Sequence, residues 1–133
     1  MSEVLERVFV YGTLRRGGSN HFRVGDGGFV GEGRVRGGLY RIDWYPGLVL
    51  DSEGDEVIGD VFDVSAVRLA ELDLFEGLPQ GFLVGEEYRR VRTMVDLLGG
   101  GRVDAWVWEW IGEVDPGRRV VSGDWVRDEG GKS

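Results

Sequence analysis

The chain has 133 residues, of which 24 are glycine and three are proline. Glycine follows no triplet repeat, which excludes a collagen-like chain, and glycine and proline together stay below the share that is typical of low-complexity disorder. Valine outnumbers alanine by 20 to three, and this bias favours strands over helices. A chain of this length is expected to form one domain with a substantial core.

Missing and rare residue types exclude several kinds of chemistry. The chain contains no cysteine, so disulfides, thiolate zinc sites and a cysteine nucleophile are excluded. His21 is the single histidine; a multi-histidine metal site is therefore impossible, and a Ser-His-Asp triad would have to use this residue. Lys132 is the single lysine, which argues against a phosphate-binding or Schiff-base lysine. Neither a cofactor nor a metal is expected.

The charge balance bears on partners and location. The formal net charge is −8, which argues against nucleic acids and anionic membrane surfaces as partners. The sequence has no apolar run of about 18 residues, and it does not open with a basic and then apolar leader. These features predict a soluble, cytoplasmic protein and give no sign of its oligomeric state.

Strand and turn patterns predict a β-rich α+β fold. Apolar residues that partly alternate predict strands. Glycines inside the second of these strands, such as Gly33 and Gly37, predict bends in curved strands. The polar, glycine-rich residues 128–133 are expected to form a flexible tail. The expected strands lie at residues 4–11, 29–40, 48–50, 57–64, 87–98 and 103–111, with a further strand or extended segment at residues 120–126.

One helix is predicted at residues 65–76. Ser65 is a suitable N-cap residue, because its hydroxyl can accept a hydrogen bond from an unpaired N–H of the first turn. Gly77 suits the position just after the helix, where a left-handed backbone conformation is common, and Pro79 prevents continuation.

The segment at residues 11–17, with the sequence Tyr-Gly-Thr-Leu-Arg-Arg-Gly, is the first candidate functional element. It directly follows the first predicted strand. Such a loop can turn successive backbone N–H groups towards an anion, for which a carboxylate is a suitable guest. It lacks the Gly-Lys-Ser/Thr ending of a Walker loop. The alternative interpretation is a strand-ending turn that uses glycine for its conformational freedom.

Glu76 is the second candidate. It falls at the C-terminal end of the predicted helix, where the helix dipole is negative and a cationic residue is the ordinary choice. That field, together with the like charge of Asp73 one turn earlier, is expected to raise the pKa of Glu76 towards that of a general base working near neutral pH. The alternative is a solvated glutamate in an acidic protein.

Tyr88 is the third candidate. In a strand, Tyr88 and Arg90 share one face, whereas Glu87 and Arg89 share the other. If the first face borders a cavity, the Tyr88 hydroxyl can contact a substrate. Ordinary cross-strand packing and ion pairing are the alternative.

Four segments, in this order, carry a family pattern. In the first, Tyr-Gly-Thr-Leu continues to Gly17 and Asn20, which gives the form Y-G-T-L-x-x-G-x-x-N. The others are Leu-Asp-Leu-Phe-Glu-Gly at residues 72–77, Tyr-Arg-Arg-Val at residues 88–91 and Ser-Gly-Asp-Trp at residues 122–125. Together they resemble the gamma-glutamylcyclotransferase-like family over residues 7–125. The long form of the first motif is more similar to the branch that acts on gamma-glutamylamines than to the glutathione branch.

The resemblance implies a small mixed β-barrel of about six strands, with one main helix and one cavity, as a single domain over residues 1–127. It implies an enzyme that removes the gamma-glutamyl group of a small-molecule amine or amino acid derivative as 5-oxoproline and releases a free amine. The α-amine of the substrate attacks its own γ-carbonyl, so such a transferase or lyase needs neither a protein nucleophile nor a metal.

The resemblance also implies roles for particular residues. Glu76 matches the family's catalytic glutamate and would act as general acid and base. Backbone N–H groups of the first motif would hold the substrate α-carboxylate, and the two tyrosines would border the cavity or contact the substrate or Glu76. The residues expected to bind the substrate are Tyr11, Gly12, Thr13, Leu14 and Tyr88.

Three further positions match the pattern without a chemical role, and a fourth departs from it. Asp73, Arg90 and Trp125 are interpreted as structural. Trp108 stands where many relatives have tyrosine, so an indole N–H replaces a hydroxyl and substrate selection is expected to differ. Two other functions stay open: a non-catalytic binding module on the same barrel, and an amide hydrolase in which Glu76 activates water.

Overall fold

The computed structural model describes residues 4–25 and 27–130. Six strands form one sheet, each within a few residues of its predicted position. The strands are β1 (Leu5–Val10), β2 (Gly28–Arg41), β3 (Pro46–Leu50), β4 (Asp55–Ser65), β5 (Tyr88–Leu97) and β6 (Arg102–Trp110).

The sheet closes on itself. Its strand order is β3-β2-β4-β1-β6-β5, and β2 also pairs with β5, so five strands form a barrel and β3 extends it from β2. The pairing of β1 with β6 is parallel and the others are antiparallel. This arrangement confirms the prediction of a small mixed β-barrel with about six strands.

Gly33 shows why glycine is needed where the barrel closes. It pairs with Leu97 of β5 as well as with Gly59 of β4. A Cβ atom at Gly33 would lie 2.5 Å from Cγ1 of Val95. Close approach of neighbouring strands therefore explains this glycine of the predicted curved strand.

The predicted helix is present as α1 (Ala66–Phe75). The hydroxyl of Ser65 accepts a hydrogen bond from the Arg68 N–H at 3.0 Å, as expected of an N-cap. Leu69 and Leu72 are the buried residues of α1. Gly77 has a φ of 85° and lets the chain turn away directly after the helix.

The C-terminal segment differs from its prediction. Residues 120–126 do not form a strand: a turn at residues 121–122 leads into a second helix, α2 (Trp125–Gly130). The Asp124 carboxylate accepts a hydrogen bond from the Arg127 N–H at 3.0 Å and so satisfies the first turn. Residues 128–130 of the expected tail belong to α2, and residues 131–133 lie outside the described residues.

Two hydrophobic clusters lie on opposite faces of β1. Phe9 joins one cluster, which includes Val61 and Val107, whereas Val8 and Val10 join a second cluster that reaches α1. This alternation follows from the two-residue period of a strand. No helix in the described part of the chain is long and apolar enough to cross a membrane.

Candidate active site

Tyr11 stands where β1 ends and the chain leaves the barrel. Its ring is buried. Its hydroxyl donates a hydrogen bond to the Trp108 carbonyl at 2.6 Å and accepts one from the Leu48 N–H at 3.2 Å. Burial raises the pKa of Tyr11 well above its usual value, so the hydroxyl stays protonated. These bonds to β6 and β3 hold the ring in place as a wall of the site.

Three backbone donors follow Tyr11 directly. Within the described residues, the N–H groups of Gly12, Thr13 and Leu14 donate to no acceptor, whereas the next N–H, that of Arg15, donates to the Gly12 carbonyl at 3.1 Å. Buried or half-buried backbone donors are normally paired. Successive unpaired N–H groups in a turn are a suitable site for an anion.

Two contacts fix the shape of the loop at residues 11–17, which we call the donor loop. The backbone N–H of Asn20 donates to the Thr13 carbonyl at 2.8 Å, and the Asn20 side chain donates to the Thr13 hydroxyl at 3.2 Å. A Cβ atom at Gly12 would lie 2.6 Å from Cγ of Pro46. The first motif is thus explained by local geometry: Asn20 braces the loop, and glycine allows the approach of Pro46.

Glu76 lies at the C-terminal end of α1. Its backbone N–H donates to the Leu72 carbonyl at 2.9 Å, and the Leu78 N–H then donates back to the Asp73 carbonyl at 2.9 Å. This closure, with Gly77 in the left-handed conformation, directs the chain away from the helix. The Glu76 side chain borders the same cavity as the donor loop.

The Glu76 carboxyl group accepts no hydrogen bond within the described residues. Burial raises its pKa to about 8, and the nearby charges of Glu87 and Asp73 add to the shift. The raised value agrees in direction with the expectation from helix position, but burial is its main cause. Glu76 can therefore exchange a proton near neutral pH, as a general acid and base must.

Asp73, one turn before Glu76, differs from it in having hydrogen-bond partners. Its Oδ1 accepts hydrogen bonds from Nε of Arg90 at 2.8 Å and from Nε1 of Trp108 at 2.9 Å. The structural interpretation of Asp73 and Arg90 is consistent with this bridge between α1 and two strands. The indole N–H of Trp108 is directed at Asp73.

Tyr88 is buried at the start of β5, on the face predicted from strand alternation. Its hydroxyl donates to the Pro46 carbonyl at 2.6 Å, and burial raises its pKa above the usual tyrosine value. The expected contact with Glu76 is not made through this proton. The Tyr88 hydroxyl oxygen and ring remain available to a substrate.

A cavity of about 180 Å³ joins these elements. Its wall carries two carboxyl groups, those of Glu76 and Glu87, and no arginine, lysine or histidine of the described residues. Among the described residues, no three or more His, Asp or Glu side chains are grouped so that they could hold a metal ion. All six predicted site residues line the cavity: Tyr11, Gly12, Thr13, Leu14, Glu76 and Tyr88.

Other cavity residues were not assigned from the sequence. Among these, Trp44, Tyr45 and Glu87 line the wall; Trp108, for which the sequence predicted an effect on substrate selection, lines it as well. The Tyr45 hydroxyl donates to Glu87 at 2.5 Å, and this bond is the main cause that raises the pKa of Tyr45 to about 12. The only sequence signal for Glu87 is its place directly before Tyr88; its pairing with a residue 42 positions away has none.

Residues 8–127 match the family described as "Gamma-glutamyl cyclotransferase, AIG2-like". The chain belongs to this family. The family and its relatives indicate gamma-glutamyl cyclotransferase activity.

Individual relatives agree with this membership. A Vibrio cholerae protein, provisionally named gamma-glutamylcyclotransferase, is 36% identical over 123 residues, which cover 90% of this chain and 95% of the relative. The mouse gamma-glutamylaminecyclotransferase is 32% identical over 128 residues, covering 87% of this chain and 74% of the mouse protein. The crystal structure of a mouse AIG2-like protein superposes with a TM-score of 0.70 at 28% identity, covering 86% of this chain and 82% of that one. The predicted family and fold are confirmed.

Proposed function

We propose that the protein releases 5-oxoproline and a free amine from a gamma-glutamyl amine or amino acid. The observation that carries this proposal is one cavity that holds a carboxyl group, that of Glu76, and three backbone donors, those of Gly12, Thr13 and Leu14, none of which has a partner within the described residues. A gamma-glutamyl group needs both, because it brings an α-carboxylate to be held and an α-ammonium to be deprotonated.

The donor loop would orient the substrate. Its three N–H groups donate hydrogen bonds to the α-carboxylate, and the rings of Tyr11 and Tyr88 form the walls against which the glutamyl chain folds. Folding brings the α-amine to the γ-carbonyl within the same molecule. Such an intramolecular reaction owes much of its rate to being held in this geometry.

Glu76 would move the protons. As a carboxylate it takes a proton from the α-ammonium, and the freed amine forms a C–N bond with the γ-carbonyl carbon. Glu76 returns that proton to the leaving nitrogen as the original amide C–N bond breaks. As a carboxylate again, it takes the extra proton of the new ring nitrogen, which passes to the released amine and leaves it as an ammonium ion. A pKa of about 8 lets the one group perform both steps near neutral pH.

The experiment is to incubate the protein with gamma-glutamyl amines, gamma-glutamyl amino acids and gamma-glutamyl peptides, and to identify the products by mass spectrometry. We expect 5-oxoproline. Free glutamate would instead indicate a hydrolase that uses Glu76 to activate water. Binding without any product would indicate a non-catalytic binding module.

The variant Glu76→Gln tests the proton-transfer role. Its kcat should fall by about 10²- to 10⁴-fold, the usual contribution of a general acid or base. Glu71→Gln is the matched control: Glu71 is an exposed glutamate of the same helix, paired with Arg68 and absent from the cavity wall. Full activity of Glu76→Gln, or an equal loss in both variants, would contradict the assignment.

A further inference from the structure

Asp60 is a buried charge outside the cavity wall. It lies on β4 opposite Val10, the last residue of β1, and its side chain is 1% exposed. Its Oδ2 accepts a hydrogen bond from the Arg16 backbone N–H at 2.9 Å. Asp60 therefore anchors the donor loop at Arg16. This residue is four positions after Gly12, whose N–H is the first of the three donors without an acceptor in the described residues.

Arg15 links Asp60 to the C-terminal segment. Its side chain is 7% exposed, and Nη1 donates to Oδ1 of Asp124 at 2.8 Å. Its Nε lies 3.6 Å from Oδ2 of Asp60. The Arg15 guanidinium thus stands between two carboxylates, one on the barrel wall and one at the start of α2, and Nε of the half-exposed Arg16 side chain lies 3.8 Å from Oδ2 of Asp60.

The cluster of Arg15, Asp60 and Asp124 is not an effective source of stability for the barrel. Nε of Arg15 and Oδ1 of Asp60 are buried without a hydrogen-bond partner in the described residues. Removing charges from water costs free energy that a buried ion pair recovers only when its polar atoms are satisfied. What the cluster does achieve is geometric: it fixes the backbone at Arg15 and Arg16.

We propose that Asp60 is a positioning residue, which, through Arg15 and the Arg16 N–H, holds the donor loop in the geometry that receives a substrate α-carboxylate. The inference rests on the proposed function, because the loop must bind that carboxylate. Asp60 itself touches no substrate. A displacement of the loop by about 1 Å is enough to lower the rate of a positioned reaction severely.

The test compares two substrates that carry the same amine. One is a gamma-glutamyl amide; the other is the matching 4-aminobutyryl amide, which lacks only the α-carboxylate. Its amine nitrogen bonds to the carbonyl carbon, the amide C–N bond breaks, the proton of the attacking amine passes to the leaving amine, and 2-pyrrolidinone forms. The kcat/KM for the gamma-glutamyl amide, divided by the kcat/KM for the 4-aminobutyryl amide, measures how well the enzyme uses the α-carboxylate.

Asp60→Asn should lower this ratio by about tenfold, the equivalent of one charge-assisted hydrogen bond. Asp63→Asn is the matched control. Asp63 is on the same strand, and its two oxygens pair with Arg7 of β1 at 2.9 and 3.1 Å, away from the donor loop. It should lose stability but keep the ratio.

The double variant Arg15→Met/Asp60→Leu separates positioning from stability. Replacing a buried ion pair by apolar residues of similar size is often neutral for stability. We expect this variant to unfold at a urea concentration near that of the wild type and yet to show the lowered ratio. It also keeps the test decisive if Asp60→Asn does not fold.

The outcomes separate the two proposals. If the wild type forms no 5-oxoproline, the proposed function fails, and this inference fails with it. If the wild type forms 5-oxoproline and prefers the α-carboxylate, but the double variant keeps that preference, only the positioning role is overturned. A lowered ratio in the Asp60 variants, with an unchanged ratio in Asp63→Asn, supports it.

Discussion

Glu76 in the cavity and the acidic side chains of the β5–β6 hairpin differ in both exposure and pairing. On the hairpin, Asp104 pairs with Arg92 at 2.8 Å and Asp96 pairs with Arg102 at 2.8 Å, and all four side chains are about half exposed or more. In the cavity, Glu76 is partly buried and has no partner in the described residues. The carboxylates with ion-pair partners are therefore the exposed ones, which water already stabilises.

The difference in pairing points to Glu76 as the functional carboxyl group. Exposed ion pairs contribute at most about 1 kcal/mol and are readily exchanged for other polar surfaces. A buried carboxyl group without a partner lowers stability, so its presence calls for another explanation, and a catalytic role is the common one. Asp73 shows that this fold is able to pair such a group, since it gives that carboxylate two donors only one turn away.

After Glu76→Gln, the largest effect is expected from Gly12→Ala. The new Cβ would overlap Cγ of Pro46, so the donor loop must shift. We expect kcat/KM for 5-oxoproline formation to fall by about 100-fold, and the free energy of unfolding to fall by about 1–3 kcal/mol. Gly99→Ala on the hairpin is the control, because nothing lies within 4 Å of its Cβ position. Equal activities of the two variants would contradict the view that the donor loop, and not the β5–β6 hairpin, is part of the active site.

A pH-dependent effect on stability comes next. The pKa of Glu76 rises from 4.5 to about 8 in the folded protein. Between these values the native state holds a proton that the unfolded state has released, so the free energy of unfolding falls as pH rises through this window. Glu76→Gln has no ionisable group at this position, so its free energy of unfolding does not fall for this reason. From pH 4 to pH 9, the wild type should lose about 2 kcal/mol more than the variant, allowing for solvent screening of a partly exposed group.

Urea unfolding of both proteins across this range gives the difference directly, since all other titrating groups are shared. Parallel stability curves would contradict a raised pKa in the folded state. A curve that falls more steeply for Glu76→Gln than for the wild type would show that the sign is wrong.

Local signals were sufficient for much of this fold. Helix α1 could be predicted because Ser65, Gly77 and Pro79 are short-range signals that act within one or two turns. The strands were predictable for the same reason. All six residues predicted from the ordered motifs line one cavity, and their assignment to a site stays a prediction.

Long-range partners left no such signal. The parallel pairing of β1 with β6 and the closure of β2 on β5 join segments far apart in sequence, and neither changes a local pattern. Asp60 appears as an ordinary strand residue, because its partner N–H on Arg16 is 44 positions away. Helix α2 was missed since the valines near its start suggested an extended segment, whereas the Asp124 cap decided the conformation.

The smallest effect is expected from Asp96→Asn on the hairpin. It removes an ion pair with Arg102 in which the side chains are 56% and 66% exposed, so water replaces the lost partner. We expect the free energy of unfolding to change by less than about 0.5 kcal/mol and 5-oxoproline formation to stay at the wild-type rate. Thermal unfolding and a product assay measure both. If this variant lost activity as Glu76→Gln is expected to, the hairpin would be coupled to the cavity, and exposure and pairing would no longer separate the functional carboxyl group from the others.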